Sequence, residues 1–308
     1  MTAPRSPFLT AERREKIRLL VRDARNFWRK FKDNRTGLAG LGILVVFVSM
    51  ALLAPWIGKY DELYPPNSLE WARVNPTLSA PSGDHPFGTD IYGRDIFTLS
   101  MYGARASLVV GFLASFISIL LGTAVGVAAG YLGKAWDEVL MRVTDFFLVI
   151  PWLPLMIIFA MLMGKSFWNV IIVIGITSWP WTARIVRSQV LTVKEKAFVE
   201  RARCIGSGSF TIVRRHIMPN VLPLVFASTI LLIANAIFSE SFLEFLGLGG
   251  DMISWGNMLE AAYVGHAFES YAWWWILPPG LFIIVLIMAF YLVGEATDEI
   301  LNPKLRRR

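Results

Sequence analysis

Catalysis needs nucleophiles, acid–base groups or metal ligands at workable spacing, and this 308-residue sequence offers few. Gly164-Lys165-Ser166 matches the last three positions of a phosphate-binding loop, but Phe159 stands where that loop requires its first glycine. His85, His216 and His266 are far apart, with no H-E-x-x-H pair and no Cys/His cluster around the single Cys204. A G-x-S-x-G nucleophile elbow is also missing. A zinc hydrolase, a serine hydrolase and an intrinsic ATPase therefore lack support, and no cofactor or metal is expected on this chain.

The polar residues within the apolar stretches are neutral. Proton- or sodium-coupled carriers place ionisable groups inside the membrane to hold the coupling charge. Here the apolar cores contain Ser, Thr and Asn instead, among them Ser118, Thr177, Ser178 and Asn235. Such groups either bond back to a helix carbonyl or line a neutral, hydrated path. If they line a path, energy for transport has to enter from outside the chain.

The elements that carry these residues are apolar spans. Hydrophobic residues make up 55 % of the sequence and charged residues only 17 %, with a mean hydropathy of +0.52. A bilayer core takes about 20 apolar residues as a helix. Six charge-free stretches approach that length: Leu38–Gly58, Ala106–Gly133, Phe146–Gly164, Phe167–Ala183, Ile217–Ser239 and Trp273–Gly294. An all-α integral membrane protein with six transmembrane helices is expected. The third and fourth stretches, separated only by Lys165 and Ser166, predict a tight helical hairpin.

Cationic loops stay on the cytoplasmic side. With both termini inside, segments 1–37, 134–145, 184–216 and 295–308 hold 25 of the 30 Lys and Arg. The outside then has Lys59, Arg73, Arg94, Arg105 and Lys165, and the outer loop 240–272 carries five acids and no cation. That asymmetry predicts a multi-pass protein of the cell membrane with both termini cytoplasmic. The first apolar run starts only at Leu38, so it reads as a retained signal anchor and not a cleaved signal peptide.

The formal net charge of +7 belongs wholly to residues 1–37, which hold eleven Lys and Arg against four acids. Ile17, Leu20, Val21, Ala24, Trp28 and Phe31 recur there at helical spacing among the cations. This pattern predicts an amphipathic interfacial helix with anionic lipid as its partner. A nucleic-acid-binding arm is the competing reading of a basic run, and the apolar stripe on a membrane-tethered chain argues against it.

Segment 184–216 is the longest cytoplasmic loop expected. Lys194–Cys204 reads as a helix, Gly206 and Gly208 break it, and a second helix starts near Phe210. On the residues alone, this is either a docking surface for a soluble partner or an ordinary amphipathic connector. The run Glu200-Arg201-Ala202-Arg203-Cys204-Ile205-Gly206, followed by Pro219, resembles the EAA loop of binding-protein-dependent ABC importer permeases. There, Gly follows the Glu by six residues and Pro follows that Gly by thirteen. Arg201 replaces the first Ala, and Met218 stands where Leu is usual before the proline.

Further stretches are similar to the second permease subunit of the dipeptide/oligopeptide/nickel branch. They include Phe27-Trp28-Arg29-Lys30-Phe31, His85-Pro86-Phe87-Gly88-Thr89-Asp90 with Gly93-Arg94-Asp95, Phe245-Leu246-Gly247-Leu248-Gly249, Trp255-Gly256-Asn257-Met258-Leu259 and the ending Leu301-Asn302-Pro303. The resemblance implies the type I ABC importer permease fold. With the charge pattern and the apolar spans, this divides the chain into a basic segment 1–37, a first span 38–58, an extracytoplasmic loop 59–105 and a core permease domain 106–308 with a coupling loop 184–216.

It also implies a heterodimer with a homologous permease, two cytosolic ATPase subunits holding ATP and Mg, and an extracytoplasmic binding protein. In that reading Glu200, Arg201, Ala202, Arg203, Gly206 and Pro219 form the coupling site. The cargo is a di- or oligopeptide, an oligosaccharide or a nickel complex. A stand-alone secondary transporter or channel, and a membrane enzyme, are the readings from other classes. Asp90, Arg94 and Asp95 either staple their own loop or touch a docking binding protein. The outer acids Glu240, Glu244, Asp251, Glu260 and Glu269 are expected to be solvated, or to attract a basic surface or cationic substrate by their field.

Overall fold

The structure is a computed structural model, and it describes residues 11–58, 76–250 and 252–301. Eleven α-helices account for most of these residues: α1 (Ala11–Asp33), α2 (Arg35–Ile57), α3 (Ile96–Leu132), α4 (Lys134–Val149), α5 (Trp152–Met163), α6 (Phe167–Lys194), α7 (Ala197–Cys204), α8 (Ser209–Ile212), α9 (Met218–Phe245), α10 (Trp255–Val264) and α11 (Trp273–Leu301). A π-helical turn, Val213–Ile217, joins α8 to α9. Part of loop 59–105, residue Asp251 and the ending Asn302-Pro303 lie outside the described residues.

Four helices, α2, α3, α6 and α11, are long and apolar enough to cross a membrane, as is the continuous segment Ser209–Phe245. Their outward faces are apolar, with Trp56, Phe116 and Leu120 each more than half exposed, as suits contact with lipid tails. The third expected span departs from the sequence reading. Phe146–Val149 end α4, and α5 leaves it at 93° across Ile150-Pro151. Pro151 has no N–H to continue the ladder, and its ring pushes Ile150 into the extended region, where ψ is 129°. With twelve residues, α5 is about 18 Å long, short of the roughly 30 Å hydrocarbon core.

The second span also starts earlier than expected. Asp95 caps α3, its Oδ2 accepting from the Thr98 amide at 2.9 Å and the Thr98 hydroxyl at 2.7 Å. Helix therefore includes Ile96–Arg105, which the sequence reading assigned to a loop. Asn34 caps α2 in the same way, accepting from the Gly37 amide at 2.8 Å.

α3 and α6 pack along Gly122, Gly126 and Gly130. A Cβ on Gly122 would stand 2.5 Å from Thr182 Cβ, and one on Gly126 2.5 Å from the Ala183 carbonyl oxygen. Small residues one turn apart let two apolar helices approach closely where no water-driven burial operates between them. A second close approach, Gly40 against the Ala289 carbonyl, seats α2 on α11. One core cluster surrounds Trp255 and Trp275, where α2, α3, α9, α10 and α11 meet. A separate valine-rich cluster lies where α6 and α9 meet α7.

The described ends of the chain meet on one face. Asn34 donates to Glu299 at 3.0 Å, and Phe31 is buried beside Gly37 against α11. α1 is a single helix, and Val21 and Trp28 are among its exposed apolar residues.

Candidate functional site

Segment 184–216 is mostly helix. α6 carries on through residue 194, so the first eleven residues of the expected loop are its last three turns. The expected helix Lys194–Cys204 is interrupted, because Lys196 is extended (φ −75°, ψ 142°) and α7 begins at Ala197. Val199 and Ala202 face inward and join Val186, Val190, Val193, Ile212, Ile217 and Val221 in one buried cluster. That contact sets α7 across the ends of α6 and α9. Glu200, Arg201 and Arg203 point outward and are exposed.

α7 closes in a Schellman motif. The Gly206 amide donates to the Arg203 carbonyl at 2.9 Å and the Ser207 amide to the Ala202 carbonyl at 3.0 Å. Gly206 has φ +79°, where a side chain is strained, yet a Cβ there would meet nothing within 4 Å. The glycine is thus required by the backbone alone. Ile205 and Phe210 flank it and are 82 % and 76 % exposed. The sequence reading did not single out these two, although large apolar residues on both sides of a helix-ending glycine within a charged segment were a signal for it. Pro219 lies in the first turn of α9. Lacking an N–H, it cannot close the preceding turn in the ordinary way, which fits the wider π turn at Val213–Ile217.

The surrounding helices are tied at this end. Arg187 pairs with Asp137 through Nε–Oδ1 (2.5 Å) and Nη2–Oδ2 (2.6 Å), and Arg184 Nη2 reaches Asp145 at 2.6 Å. The Lys194 ammonium donates to the carbonyls of Tyr131 (2.7 Å) and Gly130 (3.2 Å). α7 thus touches α6 and α9 through the valine cluster, and α6 is joined to α3 and α4 through these ties.

The four candidate path residues differ in exposure. Ser118 and Thr177 are buried within the chain, and Thr177 donates to the Val173 carbonyl at 2.7 Å. Ser178 is half-buried, and only Asn235 is exposed. Its amide donates to the Leu231 carbonyl at 3.1 Å, and its Oδ1 accepts from Tyr291 at 3.4 Å.

Asp90, Arg94 and Asp95 do come together, but facing inward. Asp90 and Asp95 are buried. Asp90 Oδ1 accepts from the Tyr92 and Arg94 amides, both at 2.8 Å, while Oδ2 accepts from Arg94 Nε. Burial pushes the Asp90 carboxyl above its ordinary value, against the pull of the Arg94 guanidinium and the two amides. Asp95 caps α3 and meets His85 Nδ1 at 3.2 Å. The three residues staple their loop, with both carboxylates turned inward.

The outer acids need a correction. Glu240 and Glu244 are not solvated; both are buried at the end of α9. Glu240 Oε2 accepts from Ser107 at 3.0 Å and from Ser241 at 3.1 Å. The Glu244 carboxyl fills the space where a Gly249 side chain would go. Among the described residues, no three His, Cys, Asp or Glu side chains are grouped to hold a metal ion.

Comparison with known proteins matches residues 118–307 to the binding-protein-dependent transport system inner membrane component family. Residues 24–75 match the N-terminal TM domain of oligopeptide transport permease C. The dipeptide transport system permease protein DppC of Bacillus subtilis is 37 % identical over 286 residues, covering 91 % of this chain and 85 % of the relative. The oligopeptide transport system permease protein OppC of Haemophilus influenzae is 34 % identical over 302 residues, covering 96 % and 94 %. A solved structure of the MetNI methionine ABC transporter in inward facing conformations shares the fold. It aligns with a TM-score of 0.54 at 18 % identity over 67 % of this chain and 95 % of that one.

Proposed function

This chain belongs to the family of binding-protein-dependent transport system inner membrane components and is the permease subunit of an ABC importer; we propose that its cargo is a di- or oligopeptide and that α7 is where ATP-driven motion enters. The cargo reading is supported by the names of the relatives, a dipeptide and an oligopeptide permease covering nine-tenths or more of this chain. An oligosaccharide or a nickel complex is the alternative cargo for the same machinery.

The coupling reading rests on one observation: a two-turn helix seated on the valine cluster by Val199 and Ala202, with Ile205 and Phe210 left bare at its end. In this reading Glu200, Arg201, Arg203 and Gly206 lie against a groove of a cytosolic ATPase subunit, and Ala202 and Pro219 hold the helix in place. Two such subunits bind ATP and Mg, and this chain binds no cofactor. A homologous permease completes the membrane pore, and an extracytoplasmic protein delivers cargo. ATP shifts the assembly because it binds one arrangement of the ATPases better than the other, and α7 passes that difference to α6 and α9.

Both termini are assigned to the cytoplasm. The 25:5 division of cations supports this, as does the Asn34–Glu299 contact, which brings the two described ends to one face. The exposed cations and apolar residues of α1 suit anionic lipid at that surface.

The test uses Gly206→Leu and Gly206→Asn in the assembled importer. Leucine strains the left-handed turn by roughly 1–2 kcal/mol, whereas asparagine tolerates it. The leucine variant is expected to insert but to lose ATPase subunits or vanadate-sensitive uptake, and the asparagine variant to retain both. Normal uptake and normal ATPase co-purification in Gly206→Leu would overturn the coupling assignment. Uptake that persists without any ATPase would point to a secondary carrier.

A further inference from the structure

α4 presents three different sides around its axis. At about 100° per residue, Trp136, Val139, Val143 and Phe146 fall within an arc of about 80°. Each of the four is 46–64 % exposed, so the chain itself does not cover them. Lys134, Glu138, Arg142 and Asp145 occupy a second arc of about 80° and are exposed as well. The third side faces the rest of the chain: Thr144 is buried there, and Asp137 is held by Arg187 of α6.

The direction of α4 follows from α5. The far end of α5 meets the start of α6, where Asn169 Nδ2 donates to the Met163 carbonyl at 2.7 Å. Its near end follows Phe147, whose ring centre lies 5.6 Å from that of Trp179. From Asn169 to Trp179 α6 rises about 15 Å, nearly the length of α5, so α5 runs lengthwise beside a spanning helix. α4 meets α5 at 93° and therefore lies across the spans, close to the membrane plane. Two ion pairs hold it to α6 there, Asp137 with Arg187 and Asp145 with Arg184.

A helix in that plane with adjoining charged and apolar arcs suits the boundary between water and acyl chains. Glu138 and Arg142 pair at 3.4 Å with both side chains more than two-thirds exposed, and hydrocarbon around them would be costly. Water around the four apolar residues would be costly in turn. Tryptophan, here Trp136, is a residue type enriched at the boundary. Beyond the bend, bare apolar surface continues through Val149 and Trp152 to Met161 and Leu162 of the charge-free α5.

We propose that α4 is an interfacial helix whose Trp136–Val139–Val143–Phe146 face is seated among the acyl chains of the cytoplasmic leaflet, with lipid as its partner. The homologous permease is the competing occupant. Continuity with the bare surface of α5 and the charged arc alongside argue for lipid. Seated so, α4 ties the depth of α6 to the membrane surface through its two ion pairs. The choice of leaflet rests on the sidedness given above.

The test attaches the fluorophore NBD to Val139→Cys, Val143→Cys or Arg142→Cys in a Cys204→Ala background, in the importer assembled in liposomes. All three positions are exposed, and ATPase co-purification reports assembly. Labels at 139 and 143 are expected to emit at shorter wavelength and to lose fluorescence to 5-doxyl phosphatidylcholine, and less to the 12-doxyl lipid. The label at 142 is expected to be quenched by aqueous iodide instead. Stronger quenching of all three by the 12-doxyl lipid overturns the proposal, since α4 then crosses the membrane. Quenching of all three by iodide alone also overturns it. So does protection of the 139 and 143 labels from both quenchers, which would place the homologous permease over this face. The unmodified wild-type importer gives a second reading. Irradiation in phosphatidylcholine carrying a diazirine near the head of its acyl chain should leave adducts on residues 136–146, and adducts on α5 with none on α4 would overturn the proposal. The quenching pattern is the same in either leaflet, so reversed sidedness and failure of this proposal are told apart.

Discussion

Glu240 on α9 accepts a hydrogen bond at 3.0 Å from Ser107 on α3, across 133 residues of sequence, with both side chains buried. Ser241 donates to the same carboxylate oxygen at 3.1 Å. One turn on, the Glu244 carboxyl occupies the room left by Gly249, so the chain leaving α9 folds over the pair. The two acids thus hold α3, α9 and the following loop at the end opposite α7.

Glu240→Ala is expected to destabilise the assembled importer more than Ser107→Ala. It strands two hydroxyl donors and opens a cavity, whereas the serine change removes a single donor; each unsatisfied buried group costs about 1–3 kcal/mol. Glu240→Gln keeps the volume and an acceptor, and should fall between Ala and wild type. Thermal unfolding of the three variants checks the order, and equal midpoints for Glu240→Ala and wild type would remove the structural role.

Gly126→Leu is expected to prevent α3 from seating on α6. Its Cβ would already stand 2.5 Å from the Ala183 carbonyl oxygen, where a backbone atom cannot swing aside. Overpacking of this kind costs about 1–3 kcal/mol or more. Gly42→Leu is the matched control, because a Cβ there meets nothing within 4 Å on an exposed face of α2. Monodisperse elution of Gly42→Leu beside loss or aggregation of Gly126→Leu is the expected outcome. Indistinguishable yields and profiles would contradict the packing account.

Five of the six spans were legible because a run of charge-free residues is a local property, fixed by the cost of placing Lys, Arg, Asp or Glu in hydrocarbon. The 93° break was not legible in that way, although Pro151 marked its position; apolar count says nothing of direction. Glu240 and Glu244 were misread for the opposite reason. Next to an apolar run, an acid reads as the start of a solvated loop, and nothing local reveals that Ser107 will stand opposite. In segment 184–216, Gly206 was legible because its need is local, a left-handed turn ending a helix. Exposure of Ile205 and Phe210 depends on which residues α7 turns toward the valine cluster, and only the packed structure decides that.

Ile205→Ser with Phe210→Ser is expected to separate binding from folding. At 82 % and 76 % exposure, neither side chain supports the interior of the chain. Stability should stay within about 0.5 kcal/mol of wild type. If both side chains enter a groove on an ATPase subunit, losing two central apolar anchors costs about 2 kcal/mol or more each, about thirty-fold in affinity for one and several hundred-fold for the pair. ATPase retention on a tagged permease, measured with thermal unfolding of the same preparation, reads both quantities. Full retention would remove these two residues from the interface.

Sidedness is read most directly by cysteine labelling. Cys204 is exposed and has to be replaced first, so a Cys204→Ala background is used. Glu269 lies in the loop between α10 and α11 and its side chain is 74 % exposed, while Ser209 is exposed at the start of α8, close to α7. A membrane-impermeant maleimide added to intact cells is expected to label Glu269→Cys and to leave Ser209→Cys unmodified until the membrane is opened. α9 joins the two regions by crossing the membrane once, so labelling on the same side would mean that α9 does not cross. Labelling of Ser209→Cys alone would invert the whole chain and place α7 where no cytosolic ATPase reaches it.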